Sequence, residues 1–222
     1  MRALEWRFNE TPSRLNIGGI SKRRPRRLDL SERRVRVYDD VFGAHDHVYC
    51  EQAELTPHID VYRFPPTAER PFFTFVTAGM SDLAMHSPAE LEARYRRVEL
   101  LFYAAEGKTE YMEMLNAVAR FPHDNATWLQ WGHMVTSEPR ARPLLQSGTQ
   151  NCLFLLPSPV ETDSRLGDYL SWEGEPIQLL WCVPISMAEC SFQRERGGLA
   201  LCELFRARSH PFVYAGDRES YV

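Results

Sequence analysis

The sequence lacks several features that would assign it to a class of protein at once. No apolar run approaches the roughly 18 residues that a membrane-spanning helix needs, since runs such as LLFYAA and CLFLLP have only the length of a strand. No glycine pair has the flanking residues of a phosphate-binding loop. The opening residues, MRALEWRFNE, are too polar for a secretory signal peptide. We therefore expect neither a membrane protein, nor a secreted protein, nor a nucleotide-binding enzyme.

Cysteine pairs are also missing. The five cysteines are scattered along the chain and form no Cys-x-x-Cys motif. An odd number of cysteines without paired spacing predicts neither a disulfide framework nor a zinc knuckle. Because free thiols persist in a reducing compartment, we expect a cytoplasmic protein.

What the sequence does contain is enough apolar material for one large core. Of its 222 residues, 44% are hydrophobic and 12% aromatic, as is typical of a globular domain. The net charge of −4 is unevenly distributed. Residues 22–36 carry eight basic and two acidic side chains, a net charge of +6, which leaves −10 for the rest of the chain. An acidic body disfavours nucleic acid as a ligand and favours a basic protein partner.

The basic segment 22–36 has two open interpretations. It is either a solvated leader or a contact for phosphate or nucleic acid, although no aromatic residue is interleaved among its arginines. Pro25 lies among five basic neighbours, and such a segment can bury little apolar surface. We therefore expect residues 1–30 to form an arm and residues 31–222 the folded domain, with the whole basic segment flexible or loosely docked.

Apolar spacing and end signals predict the helices. Ser31 begins a helical pattern that stops at Gly43, and the segment 109–121 has a second apolar helical face. Ser186 and Glu189 form a capping box that opens a third helical region, interrupted at Gly197-Gly198. A smaller capping box is expected at Ser87-Pro88-Ala89-Glu90.

Runs rich in β-branched and aromatic residues predict about six strands. Two of these runs are continuously apolar, which is typical of central strands covered on both faces. Strands and helices together indicate an α+β fold, with helices packed against a mixed, largely antiparallel β-sheet in a single domain. The predicted strands are HVYCEQAEL, HIDVYRF, PFFTFVTAG, RVELLFYAA, NCLFLLP and PIQLLWCVPI.

The stretch Gly79-Met80-Ser81-Asp82-Leu83 follows a predicted strand and approaches the nucleophile elbow, Gly-x-Ser-x-Gly, of hydrolases. Leu83 stands where the elbow needs its second glycine, and no apolar-periodic helix follows directly. Asp82 and His133 could complete a Ser-His-Asp set, but a chain of this length offers many such trios. We expect Ser81 and Asp82 to cap backbone donors at the strand end, and a Ser/His/Asp hydrolase stays as an alternative.

Several histidines and aspartates raise the question of a metal. His45-Asp46-His47 and His58-Ile59-Asp60 place candidate ligands two residues apart, and His123-Asp124 and His133 add others. None has the helical His-Glu-x-x-His spacing, and no cysteine pair joins them. Histidines in such positions are more often satisfied by hydrogen bonds. We predict no metal and no cofactor, with a metal-dependent enzyme as the alternative.

A more specific signal comes from four segments taken in order between Asp39 and Arg206. They read HIDVYRFPPTAERPFFTFVTAGMSDLAM, RVELLFYAA, LNAVARFPHDNATWLQWGHMV and IQLLWCVPISMAECSF. Together they resemble the Suppressor of fused domain family, in its single-domain, bacterial-type form. The most specific parts are the Gly-Met-Ser-Asp-Leu loop and Trp128 followed by Gly132-His133.

The resemblance implies a protein-binding module without catalytic residues. Animal members restrain Gli-type transcription factors, whereas single-domain bacterial relatives are thought to act mainly as immunity proteins that neutralise toxins. We expect an immunity protein against a co-encoded toxin, with a sequestering regulator of a transcription factor as the alternative. The segment from Asp82 to His86 corresponds to a region near the peptide groove of the animal relatives. The candidate partner-binding or family-signature residues are His58, Asp60, Gly79, Met80, Ser81, Asp82, Leu83, His86, Trp128, Gly132 and His133.

Overall fold

A computed structural model of the chain describes residues 30–52, 54–89, 95–136, 144–145, 150–172 and 174–222. Nine strands lie in this part of the chain. In chain order they are β1 (His47–Tyr49), β2 (Asp60–Phe64), β3 (Phe73–Ala78), β4 (Val98–Ala104), β5 (Met134–Thr136), β6 (Cys152–Pro157), β7 (Ser171–Trp172), β8 (Glu175–Pro176) and β9 (Gln178–Ile185).

Seven of these strands form one sheet in the order β1-β2-β3-β4-β9-β6-β5, and β7 and β8 pair separately. All neighbours in the large sheet are antiparallel except β4 and β9, which run parallel from Val98↔Gln178 to Leu101↔Trp181. The predicted α+β class with a mixed, largely antiparallel sheet is therefore confirmed. One of the seven strands of the large sheet, β5, was not predicted, because a segment of three residues is too short to show a strand period.

Helices precede, interrupt and follow the sheet. The predicted break at Gly197 is confirmed, since its φ of 88° ends one helix and starts the next. The Ser186–Glu189 capping box is also confirmed, whereas the one expected at positions 87–90 reaches beyond the described residues. The helices are α1 (Leu30–Phe42), a 3-10 turn (Met80–Asp82), α2 (Thr109–Asp124), α3 (Glu161–Ser164), α4 (Leu166–Tyr169), α5 (Met187–Arg196) and α6 (Gly198–Ala207).

The sheet buries apolar side chains on both faces. Along β4, Leu100 and Phe102 belong to the cluster that α2 covers, whereas Leu101 and Tyr103 belong to the cluster that α1, α5 and α6 cover. This alternation follows from the two-residue period of a strand. The strands β6 and β9, whose continuous apolar runs predict burial on both faces, likewise contribute alternate side chains to the two clusters.

The structure corrects the prediction that the whole basic segment is flexible or loosely docked. Residues 30–36 are the first turns of α1, which begins one residue before the expected boundary. Arg34, Tyr38 and Phe42 are spaced by four residues, so they share one face of the helix, and all three are buried. Arg34 is therefore buried because it lies on the same face of α1 as Tyr38 and Phe42. The remainder of the basic segment and of the arm lies outside the described residues.

Candidate functional site

The register of the sheet brings the candidate residues to one edge. Asp60 pairs with Ala78, so the start of β2 meets the end of β3. The registers of the remaining pairs place the starts of β4, β9 and β5 and the end of β6 at the same edge. We call this edge the signature edge, and define it by these strand ends and by the described residues of the loops 50–59, 79–97 and 125–133. All eleven candidate residues lie at strand ends or in loops of this edge.

Gly79 is needed where the loop leaves β3. Its φ is 117°, a left-handed conformation that side chains rarely adopt. A Cβ at this position would collide with the carbonyl oxygen of His58, which precedes β2. The glycine therefore lets the two loops pack backbone against backbone.

Glu99 organises the loop from inside the protein. This carboxylate on β4 is fully buried. It accepts hydrogen bonds from the hydroxyls of Thr77 and Ser81, both at 2.6 Å, and from the backbone N–H groups of Gly79 at 3.0 Å and Ser81 at 3.1 Å. Four donors converging on one buried carboxylate fix the loop backbone in a single conformation.

Arg34 supplies the opposite charge. Its Nε lies 3.5 Å from Glu99 Oε1, and its guanidinium also pairs with the carboxylate of Asp82. Burial alone would lower the pKa of Arg34, but attraction to Glu99 and Asp82 outweighs it and raises this pKa. Arg97 completes the network, since its Nη1 donates to the carbonyls of Ser81 at 2.8 Å and Asp82 at 3.1 Å.

The geometry does not assemble a Ser-His-Asp set. The side chain of Ser81 is fully buried and its hydroxyl donates to Glu99, while Asp82 pairs with Arg34. His133 precedes β5, which lies four strand spacings from β3 in the sheet order, or about 19 Å. The expectation that Ser81 and Asp82 cap backbone donors with their side chains was wrong. The hydroxyl of Ser81 bonds to Glu99 instead, and the carboxylate of Asp82 pairs with Arg34.

A second polar cluster ties β2 to α2. His58 Nε2 lies 3.1 Å from Asp60 Oδ1, so the two-residue spacing does bring these candidates together. Glu51 Oε2 accepts hydrogen bonds from the backbone of Ile59 at 3.1 Å and from Arg120 at 2.6 Å. This cluster anchors the loop before β2 against the second half of α2.

The described residues contain no group of side chains suited to a metal ion and no helix suited to span a membrane. Across the described ranges, no three His, Cys, Asp or Glu side chains come together as metal ligands. Within the same ranges, the longest apolar stretches fall short of a membrane-spanning helix.

Two further histidines hold loops of this edge in place. His123 Nε2 donates to the carbonyl of Met80 at 3.1 Å, and burial lowers the pKa of His123. Burial likewise lowers the pKa of His133, whose ring lies 5.7 Å from that of Trp128. Both imidazoles are therefore neutral near pH 7. His86, in contrast, is exposed.

The Trp128 segment continues the edge towards β5. The backbone N–H of its neighbour Leu129 donates a hydrogen bond to the sulfur of Met85 at 3.4 Å. This contact joins the segment to the loop that contains Ser81, which we call the serine loop (residues 79–89). Gly132 N–H donates to the carbonyl of Leu155 at 2.8 Å, and this contact extends the β5–β6 ladder. Gly132 thus has a structural role that the sequence motif alone does not reveal, and Trp128 is partly buried against the core.

The surface of the signature edge is apolar and acidic. Four large side chains in its loops and at the end of α2 are each at least 40% exposed, namely Leu55, Leu83, Phe121 and Trp131. Three acidic side chains, Glu54, Asp82 and Asp124, lie beside them and are exposed or half-exposed. Three arginines next to this surface, Arg34, Arg97 and Arg120, are buried and paired with carboxylates, whereas Arg96 is half-buried.

Sequence reasoning missed the residues that build this site from inside. Glu99 is a single acidic residue in the apolar strand VELLFYA, and an acid in such a context is a signal for a buried carboxylate. Arg34 was assigned to a charge run, although its spacing of four from Tyr38 placed it on the buried face of a helix.

Comparisons with known proteins agree with this architecture. A crystal structure of a suppressor of fused homologue from Neisseria gonorrhoeae FA 1090 matches with a TM-score of 0.66 and 16% identity, over 87% of this chain and 97% of that chain. A chain from the crystal structure of the Sufu–Fu complex matches with a TM-score of 0.58 and 16% identity, over 84% and 88% of the two chains. None of the curated proteins matches significantly. At this identity the structural likeness establishes the fold.

The family assignment comes from the sequence itself. The sequence model of the Suppressor of fused protein (SUFU) family matches residues 56–219, from the loop before β2 into the C-terminal tail, residues 208–222. This match spans most of the chain and includes every candidate residue of the signature edge. The chain is a member of the Suppressor of fused family.

Proposed function

We propose that this chain is a non-catalytic module that binds a partner protein on the signature edge. The observation that carries the proposal is the exposure of Leu55, Leu83, Phe121 and Trp131 around loops that are fixed from within. Large apolar and aromatic side chains at the centre of a rigid surface are the usual anchors of protein interfaces. A similar structure, that of the Sufu–Fu complex, contains two proteins bound to each other, which supports a protein ligand here as well.

The buried network favours binding because it removes an entropic cost. A flexible loop loses conformational freedom when a partner orders it, and that loss weakens the complex. The backbone of Gly79 and Ser81 is already held by Glu99, and the carbonyls of Ser81 and Asp82 by Arg97. The loop therefore presents Leu83 and His86 without first having to be ordered.

The same network supports a role without catalysis. A nucleophilic serine must be reachable by substrate and must have a base within hydrogen-bond distance. Ser81 is fully buried and donates to the carboxylate of Glu99, which is itself shielded from solvent. In this arrangement Ser81 shapes the loop and does not react.

For the partner, we propose a bacterial toxin encoded beside this gene, so that the chain acts in the cytoplasm as an immunity protein. The bacterial source of a similar structure supports this choice. The charge of the surface supports a basic partner, since Glu54, Asp82 and Asp124 are accessible while Arg34, Arg97 and Arg120 are buried and paired. Complementary charge of this kind raises the association rate and the selectivity of such pairs.

Co-expression tests this function. The toxin gene nearest to this gene is expressed with and without the chain, and growth of the host is followed. We expect growth to be rescued by the chain, and rescue to be lost with Leu83→Glu, which places a charge in the apolar surface.

The alternative role, sequestration of a transcription factor, predicts a different result. In that case no neighbouring toxin is neutralised. The tagged chain would instead retain a DNA-binding regulator when purified from its native host, and promoters under that regulator would change activity when this gene is deleted.

A further inference from the structure

A cavity opens at the edge of the sheet opposite the signature edge. The parallel strands β4 and β9 pair only as far as Leu101 and Trp181. Beyond that point β4 bonds to the C-terminal tail, since Tyr214 N–H donates to the carbonyl of Tyr103 at 2.9 Å and Ala105 N–H to that of Tyr214 at 2.8 Å. The gap left between the tail and β9 is a cavity of about 140 Å³, which we call the tail cavity.

The position of the tail cavity is one where ligands commonly bind. It lies between β4 and β9 on the carboxyl side of their last paired residues, where two parallel neighbouring strands separate and leave a crevice. Five of its fourteen lining residues are aromatic, namely Phe102, Trp181, His210, Phe212 and Tyr214, and Val183 lies at the side of β9.

Two buried polar atoms belong to residues that line this cavity. Gln150 is 2% exposed, and its Oε1 has no hydrogen-bond partner among the described residues. The Nε of Arg218 is likewise buried and without a partner in that part of the chain. An unpaired buried acceptor or donor destabilises a protein, so native structures rarely retain one without a reason.

The wall that the tail contributes is fixed. The guanidinium of Arg218 donates two hydrogen bonds to Glu189, at 2.6 and 2.9 Å, and lies 4.0 Å from the centre of the Tyr221 ring. The hydroxyls of Ser186 and Ser220 are 2.8 Å apart, which secures the tail at a second point. The cavity is therefore formed before any ligand arrives.

We propose that the tail cavity binds a small molecule with one planar aromatic ring that bears a hydroxyl or N–H group. Its volume suits one ring, because an apolar protein cavity of about 150 Å³ is known to hold benzene. Aromatic walls favour stacked or edge-to-face contact with such a ring. A hydroxyl on the ring can donate to Gln150 Oε1 or accept from Arg218 Nε–H, and so can provide a partner for a buried polar atom that has none among the described residues. This site is independent of the signature edge and of the partner proposed there.

Phenol and toluene are matched probes for this proposal, since they share the ring and differ in the hydroxyl. Each is titrated into ¹⁵N-labelled full-length protein while the side-chain amide of Gln150 and the indole N–H of Trp181 are followed by NMR. We expect saturable shifts of both signals with phenol, and binding of toluene weaker by about five- to tenfold, the factor that one hydrogen bond contributes. The indole of Trp131, which lines another cavity, is the internal control.

Two variants sharpen the test. Gln150→Leu removes the acceptor at similar size and should abolish the preference for phenol over toluene. Val183→Phe should fill the cavity and abolish binding of both probes. If either variant fails to fold, the comparison of phenol with toluene on the wild-type protein still tests the proposal. Absence of saturable shifts, equal affinity for the two probes, or shifts at Trp131 without shifts at Trp181 would each overturn the proposal.

Discussion

The serine loop at the signature edge and the C-terminal tail at the opposite edge are both held by a buried carboxylate. They differ in where the positive charge that pairs with this carboxylate comes from. Each segment has little regular structure, and each is fastened to a fully buried carboxylate, Glu99 in the first case and Glu189 in the second. Glu99 accepts from donors in the loop itself, while its counter-charge, Arg34, comes from α1. Glu189 receives its counter-charge, Arg218, from the very tail that it holds.

This difference determines how far a defect should spread. Loss of Glu99 removes the anchor of the loop and also leaves the charge of α1 buried without its central partner. Loss of the Arg218–Glu189 contact removes one attachment of the tail and leaves the Ser186–Ser220 contact and the backbone bonds of Tyr214 to β4. We therefore expect a defect at Glu99 to spread into the core, and a defect at Arg218 to loosen the tail locally while the domain stays folded.

The largest effect is expected for Glu99→Leu. Removal of one partner from a buried ion pair costs about 3–5 kcal/mol of folding free energy, although Asp82 stays as the second partner of Arg34. The loop loses its anchor as well. Urea unfolding measures the change. The double variant Glu99→Leu with Arg34→Met should recover part of the loss, because a matched apolar pair replaces the charges. Additive losses in the double variant would contradict the role of Arg34 as the counter-charge.

A smaller and more local effect is expected for Arg218→Met. Hydrogen bonds between charged groups contribute about 1.5–3 kcal/mol, and here they fasten only the tail. Limited proteolysis should cleave the tail of this variant faster while the rest of the domain resists. Arg208→Met, at an exposed position where the tail begins, is the control and should behave as wild type. Global unfolding of the Arg218 variant would show that the tail is part of the core.

Acid should weaken the tail contact in two separate pH windows. Burial, reinforced by the positive charge of Arg218, lowers the pKa of His210 from 6.5 to about 4. Because the unfolded chain takes up this proton more readily than the folded one, stability should fall as the pH drops from about 6.5 to about 4.

Glu189 should act at lower pH. Burial would raise the pKa of Glu189, but hydrogen bonds from Arg218, Ser186 and Tyr221 outweigh it and lower this pKa below its ordinary value. The stability that this carboxylate contributes is present above about pH 4.5 and is lost as the pH falls further. Urea midpoints measured between pH 7.5 and 3 separate the windows. His210→Gln should diminish the upper window, to which His123 and His133 also contribute, and should keep the lower. An unchanged profile in this variant would refute the assignment.

The smallest effect is expected for Ser81→Ala. The variant loses one hydrogen bond to Glu99, while the two backbone donors and Thr77 remain. The loss should be about 1–2 kcal/mol, with partner binding largely intact. Thermal melting and a binding titration on the same sample give both values. A hydrolytic activity that disappears in this variant would contradict the proposal of a non-catalytic module.

The sequence could predict those parts of the fold that depend on local pattern. The ends of α1 and α5 follow from Gly43 and Gly197, and the start of α5 follows from the capping box at Ser186. The continuous apolar runs predicted β6 and β9 as central strands. The short strand β5 escaped, because its position depends on pairing with β6 and not on its own three residues.

The candidate site was less accessible to sequence reasoning because it depends on strand order. His58 and Asp60 alternate along one strand end, so their contact could be predicted from spacing. Ser81 and His133 could not be placed, since the order of strands in the sheet differs from their order in the chain. The exposure of Leu55 and Phe121 also depends on which elements pack beside them, and no local pattern determines this.

The central claim, that the signature edge binds the partner protein, is tested most directly by the affinity of the purified partner for two matched variants. Leu83 at the signature edge is 40% exposed, and Met187 at the opposite edge, where α5 begins, is 45% exposed. A glutamate at either position should leave the fold intact, so that differences report on binding. We predict that Leu83→Glu weakens binding at least about tenfold, as for an interface anchor, and that Met187→Glu binds as wild type. Wild-type affinity of the Leu83 variant together with weakened binding of the Met187 variant would contradict the account.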